Sequence, residues 1–196
     1  MTKQAKVLEE YEINDLRRWI ATNSKMPERD DLIFLLSFRA GLRGAEISKL
    51  DLDAMLDASG KINSKIIIDK AVGKYGRPRD LPMHPEIADA LLRFRRRYPD
   101  ATYVALGIYK KNERLNAKAL IWYMIDVLKR AGFKGASSHS GRRTFVTSLA
   151  RRANRFDRSL RDVQRLAGHA RLDTTERYVD TTEEVFSLVA SLGTVG

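Results

Sequence analysis

The chain has 196 residues, carries 36 Lys+Arg against 25 Asp+Glu for a formal charge of +11, and contains no Cys. That length can bury a full core in one domain or two small ones. The lack of Cys excludes disulfides, thiolate metal sites and a cysteine nucleophile, and it fits a reducing cytoplasm. The positive excess points to a polyanionic partner, most simply DNA or RNA. The opening MTKQAKVLEEYE is charged and lacks the apolar stretch of a secretory signal. The longest apolar runs, near 32–38 and 119–125, are too short to span a bilayer and read as buried helix faces.

Residues 11–23 read as a first helix, with Ile13, Leu16 and Ile20 on one face. Residues 30–40 read as a buried helix ending at Gly41, a residue suited to a helix C-terminus. A short helix follows from Leu42, with Ile47 and Leu50 facing inward. The character then changes. Asp57-Ala58-Ser59-Gly60 is turn-like, residues 65–69 are rich in β-branched side chains and read as a strand, and residues 79–83 read as its return strand beyond a turn at 73–78. Pro82 implies an edge position.

From Pro85 the pattern is helical again, with Ile87, Ala90, Leu91 and Phe94 on one stripe and a basic face from Arg93 to Arg97. Residues 101–115 carry no clear period. A helix over 116–130 is built on Leu120, Tyr123, Met124, Val127 and Leu128, and Gly132 ends it. Helices are expected over 139–153, 160–167 and 172–179. Thr181-Thr182-Glu183-Glu184 offers a capping box for a last one, with Val185, Leu188, Val189 and Leu192 on its stripe. No repeat, low-complexity segment or linker interrupts the chain. The expectation is one domain over 1–196, mainly α with a small antiparallel β-sheet.

Six residues suit phosphodiester chemistry: Arg43, Lys74, His139, Arg142, His169 and Tyr178. Guanidinium, ammonium and imidazole groups can neutralise or protonate a phosphate, and a tyrosine hydroxyl can attack one. His139 and Arg142 lie one helical turn apart, just after Gly135-Ala136-Ser137-Ser138, where free backbone N–H groups favour an anion. Glu46, three residues after Arg43, can fix the backbone or orient the guanidinium; the plainer alternative is an ion pair of roughly 0.3–0.5 kcal/mol. Lys74 sits on a hairpin tip between Gly73 and Gly76. Taken singly, each of these is more simply a solvated surface charge. Gly168-His169 followed by Thr174-Thr175-Glu176-Arg177-Tyr178 is a more specific pattern. Phenol ionises near ~10, so Tyr178 needs cationic neighbours to act as a nucleophile.

Taken in order, Gly41-Leu42-Arg43-Gly44-Ala45-Glu46, Gly73-Lys74, His139-Ser140-Gly141-Arg142, Leu166-Ala167-Gly168-His169 and Thr174-Thr175-Glu176-Arg177-Tyr178 resemble the tyrosine recombinase (phage integrase) family, over about residues 7–184. The resemblance implies a catalytic domain that cleaves and rejoins double-stranded DNA through a 3′-phosphotyrosyl link. Arg43 and Arg142 would clamp the scissile phosphate, Tyr178 would attack it, and Lys74 would protonate the departing 5′-oxygen. His139 would move the tyrosine proton and His169 would hydrogen-bond the phosphate. No metal, ATP or other cofactor is implied, and the partners would be DNA and further protomers in a synaptic tetramer. The N-terminal core-binding domain common in the family is expected to be absent from this chain. In the family the helix after the nucleophile, here 181–192, often docks into a neighbouring protomer. A DNA-associated place in the cytoplasm follows. A topoisomerase of the type IB family, or a non-catalytic DNA-binding regulator derived from an integrase, are the alternatives.

Overall fold

The computed structural model describes residues 4–73, 78–108, 113–153 and 160–167. Within them the order is α1 (Glu10–Asn23), α2 (Pro27–Arg39), α3 (Gly44–Ile47), a 3₁₀ turn (Leu52–Met55), β1 (Lys65–Ile68), β2 (Arg79–Pro82), α4 (Pro85–Arg97), α5 (Ala117–Arg130), α6 (Ser140–Ala153) and α7 (Leu160–Ala167). The expected mainly helical architecture with one small antiparallel sheet is therefore present. The expected helices over 172–179 and 181–192 lie outside the described residues, as do Lys74, His169 and Tyr178.

Helix α2 is the central element. Every side chain from Leu32 to Phe38 is buried, and α1, α4 and α6 pack around it. Its sequence is apolar on all sides because neighbours cover all sides. It begins three residues earlier than the apolar run suggests, with Pro27 in its first turn. The reason is a buried polar network. Arg29 and Asp30 are both fully buried and ion-paired, Arg29 donates to the Leu106 carbonyl at 2.7 Å, and the Tyr123 hydroxyl donates to Asp30. Charges placed so deep are tolerated only when paired and hydrogen-bonded in this way.

Helix α2 stops at Gly41, whose φ of +65° lies in the left-handed region that glycine favours. A Cβ there would also sit 2.3 Å from the Phe145 ring of α6. Helix α6 comes even closer to α2 at Gly141, where a Cβ would lie 2.3 Å from Ser37 Oγ and 3.0 Å from the Ser37 carbonyl carbon. Two glycines thus let the α2 end and α6 meet almost backbone to backbone.

The hairpin pairs Ile66 with Leu81 and Ile68 with Arg79. Opposed residues share a sheet face, so Ile66, Ile68, Leu81 and Arg79 all point one way, toward the core. In this two-stranded sheet both strands are edges, which accommodates Pro82. The stretch without a clear period is irregular chain held by single bridges, Asp51 to Tyr103 and Leu106 to Arg114, with Val104 and Ala105 buried between them.

Candidate active site

The turn joining α2 to α3 is the centre of the site. Gly41 redirects the chain, Leu42 is buried, and Arg43 becomes the residue that caps α3. The Glu46 carboxylate accepts the Arg43 backbone N–H at 2.9 Å, satisfying one of the donors a helix start leaves open. Glu46 therefore fixes the Arg43 backbone, one of the two roles its spacing suggested. It also touches the side chain, but loosely, at 3.4 Å from Arg43 Nη1.

Arg142 reaches this same turn from α6. Its Nη1 donates to the Gly41 carbonyl at 2.7 Å, joining positions 101 residues apart, and the residue is only 4% exposed. Two of the six candidate residues, Arg43 and Arg142, thus converge on one segment, Gly41–Arg43. His139 comes with Arg142. It lies just before the first residue of α6, not inside the helix, and its carbonyl accepts the Arg143 N–H at 2.9 Å. Its side chain is exposed, with Nδ1 3.3 Å from Ser138 Oγ. The residue is exposed while its backbone is pinned by Ser137 and Ser140.

One participant was not evident from the sequence. Arg79, in β2, sends a fork onto Glu46, with Nη1 3.0 Å from one carboxylate oxygen and Nη2 3.1 Å from the other. Its side chain is 8% exposed and that of Glu46 is 1% exposed. Burial would raise the Glu46 carboxyl; the Arg79 fork, with the Arg43 N–H and charge, holds it below its ordinary value. The signal available in the sequence was alternation: Arg79 stands two residues before Leu81, on the strand face that must turn inward.

Tyr98 and Tyr123 are both shifted away from nucleophilicity, and burial raises the Tyr98 hydroxyl; Tyr123 is the more strongly affected. Burial and the Asp30 carboxylate push its hydroxyl up to about 12, which is the opposite of activation. Among the described residues no cluster of three His, Asp or Glu is arranged to hold a metal ion. No helix among them is long and apolar enough to cross a membrane.

Residues 6–184 match the model of the Phage integrase family. Tyrosine recombinase XerA of Pyrococcus furiosus is 29% identical over 170 residues, covering 86% of this chain and 56% of that protein. Tyrosine recombinase XerC of Brucella suis biovar 1 is 30% identical over 181 residues, covering 86% and 54%. Among solved structures, XerA recombinase superposes with a TM-score of 0.70 at 21% identity, over 98% of this chain and 66% of that one. The Tn1549 transposon integrase in complex with transposon right end DNA superposes with a TM-score of 0.73 at 20% identity, over 97% and 67%. The chain spans little more than half the length of the recombinases it matches in sequence.

Proposed function

We infer, because the chain belongs to the phage integrase family, that it is the catalytic part of a site-specific DNA recombinase. Its substrate is double-stranded DNA, and its reaction is cleavage and re-joining of one strand through a covalent tyrosine link. Tyr178 Oη attacks the scissile phosphorus, so that an Oη–P bond forms as the P–O5′ bond breaks. His139 takes up the tyrosine proton, and Lys74 gives a proton to the departing O5′. Arg43 and Arg142 hold the non-bridging oxygens as charge builds on them, and His169 adds a hydrogen bond. Positioned cationic donors of this kind supply the largest share of such rate enhancements.

The observation that carries the reading is the Arg142 bond to the Gly41 carbonyl. It fixes one guanidinium against the turn that presents the other, and a pair of planar forks suits a phosphate. The +11 charge supports a nucleic-acid substrate. Further partners on this reading are other protomers assembled on the DNA, linked through the segment 181–192. The protein acts where DNA is, in the cytoplasm.

The test uses a nicked suicide DNA and asks for an adduct that survives SDS. The wild-type chain should form it. Tyr178→Phe should bind the same DNA and form none, while Tyr123→Phe should still form it. Loss of the adduct in the Tyr123 variant with retention in the Tyr178 variant would overturn the assignment. A non-catalytic regulator would bind DNA and give no adduct in any form.

A further inference from the structure

An arginine beside a glutamate three residues away has an obvious fate. Arg43 and Glu46 are spaced for a helical ion pair, and a buried carboxylate with no other cation would hold the guanidinium tightly. A guanidinium locked to a carboxylate is a poor receptor for a phosphate, since both of its forked edges compete for the same kind of oxygen.

The structure resolves the competition in one direction. Both oxygens of Glu46 are taken by Arg79, at 3.0 and 3.1 Å, while Arg43 Nη1 keeps only a 3.4 Å contact. Arg79 is well placed to win. It is anchored in β2 opposite Ile68, and its side chain is 8% exposed against 21% for Arg43. Its Nε is buried with no hydrogen-bond partner among the described residues, so the side chain keeps the fork onto Glu46 with that donor unmet.

We propose that Arg79 is a positioning residue that occupies the Glu46 carboxylate, so that Glu46 braces the Arg43 backbone without sequestering its guanidinium. This rests on the reading of Arg43 as a phosphate-binding residue. Among the described residues Glu46 is paired with two guanidinium groups, Arg79 closely and Arg43 loosely, which leaves Arg43 the one available to the substrate. Removing Arg79 takes away the fork that engages both Glu46 oxygens, and it lets that carboxylate turn onto Arg43 and repel the incoming phosphate.

The consequence is a defined epistasis. Arg79→Met should slow single-turnover cleavage of saturating suicide DNA by about 30-fold or more, since it disables a transition-state donor worth roughly 10²–10³ in rate. In a Glu46→Gln background the same change should cost less than about threefold, because the charge that Arg79 restrains is gone. A residue that merely stabilised the hairpin would slow both backgrounds alike. Wild-type adduct formation is the control on the functional reading: if it fails, that reading fails, whereas an active wild type with an equally active Arg79→Met chain sinks only the role of Arg79. Equal losses in the two backgrounds also overturn the proposal. Should Arg79→Met not fold, Arg79→Lys, which keeps the charge without the fork, is compared in the same two backgrounds. A loss confined to the Glu46 background supports the proposal, and equal rates or equal losses overturn it.

Discussion

Gly141→Ala is a single methyl group placed where two helices have no room for it. The added Cβ would lie 2.3 Å from Ser37 Oγ, 2.7 Å from Ser37 Cβ and 3.0 Å from the Ser37 carbonyl carbon. Carbon atoms rest about 3.5–4.0 Å apart, so the helices must separate by about 1 Å. Helix α2 is covered on all sides and cannot yield; α6 moves. Arg142 is the next residue, and its 2.7 Å bond to the Gly41 carbonyl would stretch beyond hydrogen-bonding range. Overpacking costs about 1–3 kcal/mol, and losing a bond to a charged group costs about 1.5–3 kcal/mol. The better helix propensity of Ala returns about 1 kcal/mol. The net expectation is a loss of roughly 1.5–5 kcal/mol on those figures, read from urea unfolding. A displacement of ~1 Å in the site should cost about 10²-fold in single-turnover cleavage. The partner mutation separates this from a general loss of stability. Ser37→Ala removes the oxygen but leaves the 2.7 Å carbon contact, so it should not rescue. Ser37→Gly removes both and should recover most of the cleavage rate, though Gly in a helix keeps the protein less stable. If Gly141→Ala cleaves within a few-fold of wild type, or if Ser37→Ala rescues as well as Ser37→Gly, the close crossing does not position Arg142.

Lys74→Ala should be slow on ordinary DNA and close to wild type on a bridging 5′-phosphorothiolate, whose sulfur leaves without a proton; equal slowness on both would assign Lys74 to binding instead. The Glu46 carboxyl is held below its ordinary 4.5, so the stability it contributes is fully present above that value and is lost as pH falls through the lowered one. The difference in urea stability between wild type and Arg79→Met should accordingly be largest near neutral pH and shrink below pH 4.5; a constant difference would mean that Arg79 acts on something other than the carboxylate. Affinity for duplex DNA should fall about 10²-fold or more between about 50 and 200 mM salt, as counterion release requires; a flat salt profile by fluorescence anisotropy would argue against a phosphate-dominated interface.

Periodicity carried most of the helices. Ile13, Leu16 and Ile20, and then Ile87, Ala90, Leu91 and Phe94, are buried on the faces their spacing assigned. Each lies on an amphipathic helix packed on one side, the case in which apolar spacing reports geometry directly. What the pattern missed was charge inside the fold. Arg29 and Asp30 are fully buried, yet a hydrophobic scan reads them as surface and starts α2 too late. Arg79 was hidden for the same reason, since its partner Glu46 is 33 positions away. Residues 101–115 resisted because bridges one residue long impose no period.

The site shows why local spacing could name Arg43 and Arg142 without showing how they are held. On the proposed function each arginine must be immobilised to act without reorganising in the transition state, but a dedicated carboxylate would cancel the charge it would supply. Two devices fix the pair. Arg142 is tied to the turn by a bond to the Gly41 carbonyl, a neutral acceptor. Arg43 is fixed at its backbone by Glu46, whose negative charge is answered by Arg79. Both devices depend on chain segments far apart in sequence, and both fail if the Gly41 turn moves. On the proposed function the glycines at 41 and 141 therefore bear on the chemistry as directly as the charged residues do. They set how closely α6 approaches α2, and that distance decides whether two guanidinium groups address one point or two.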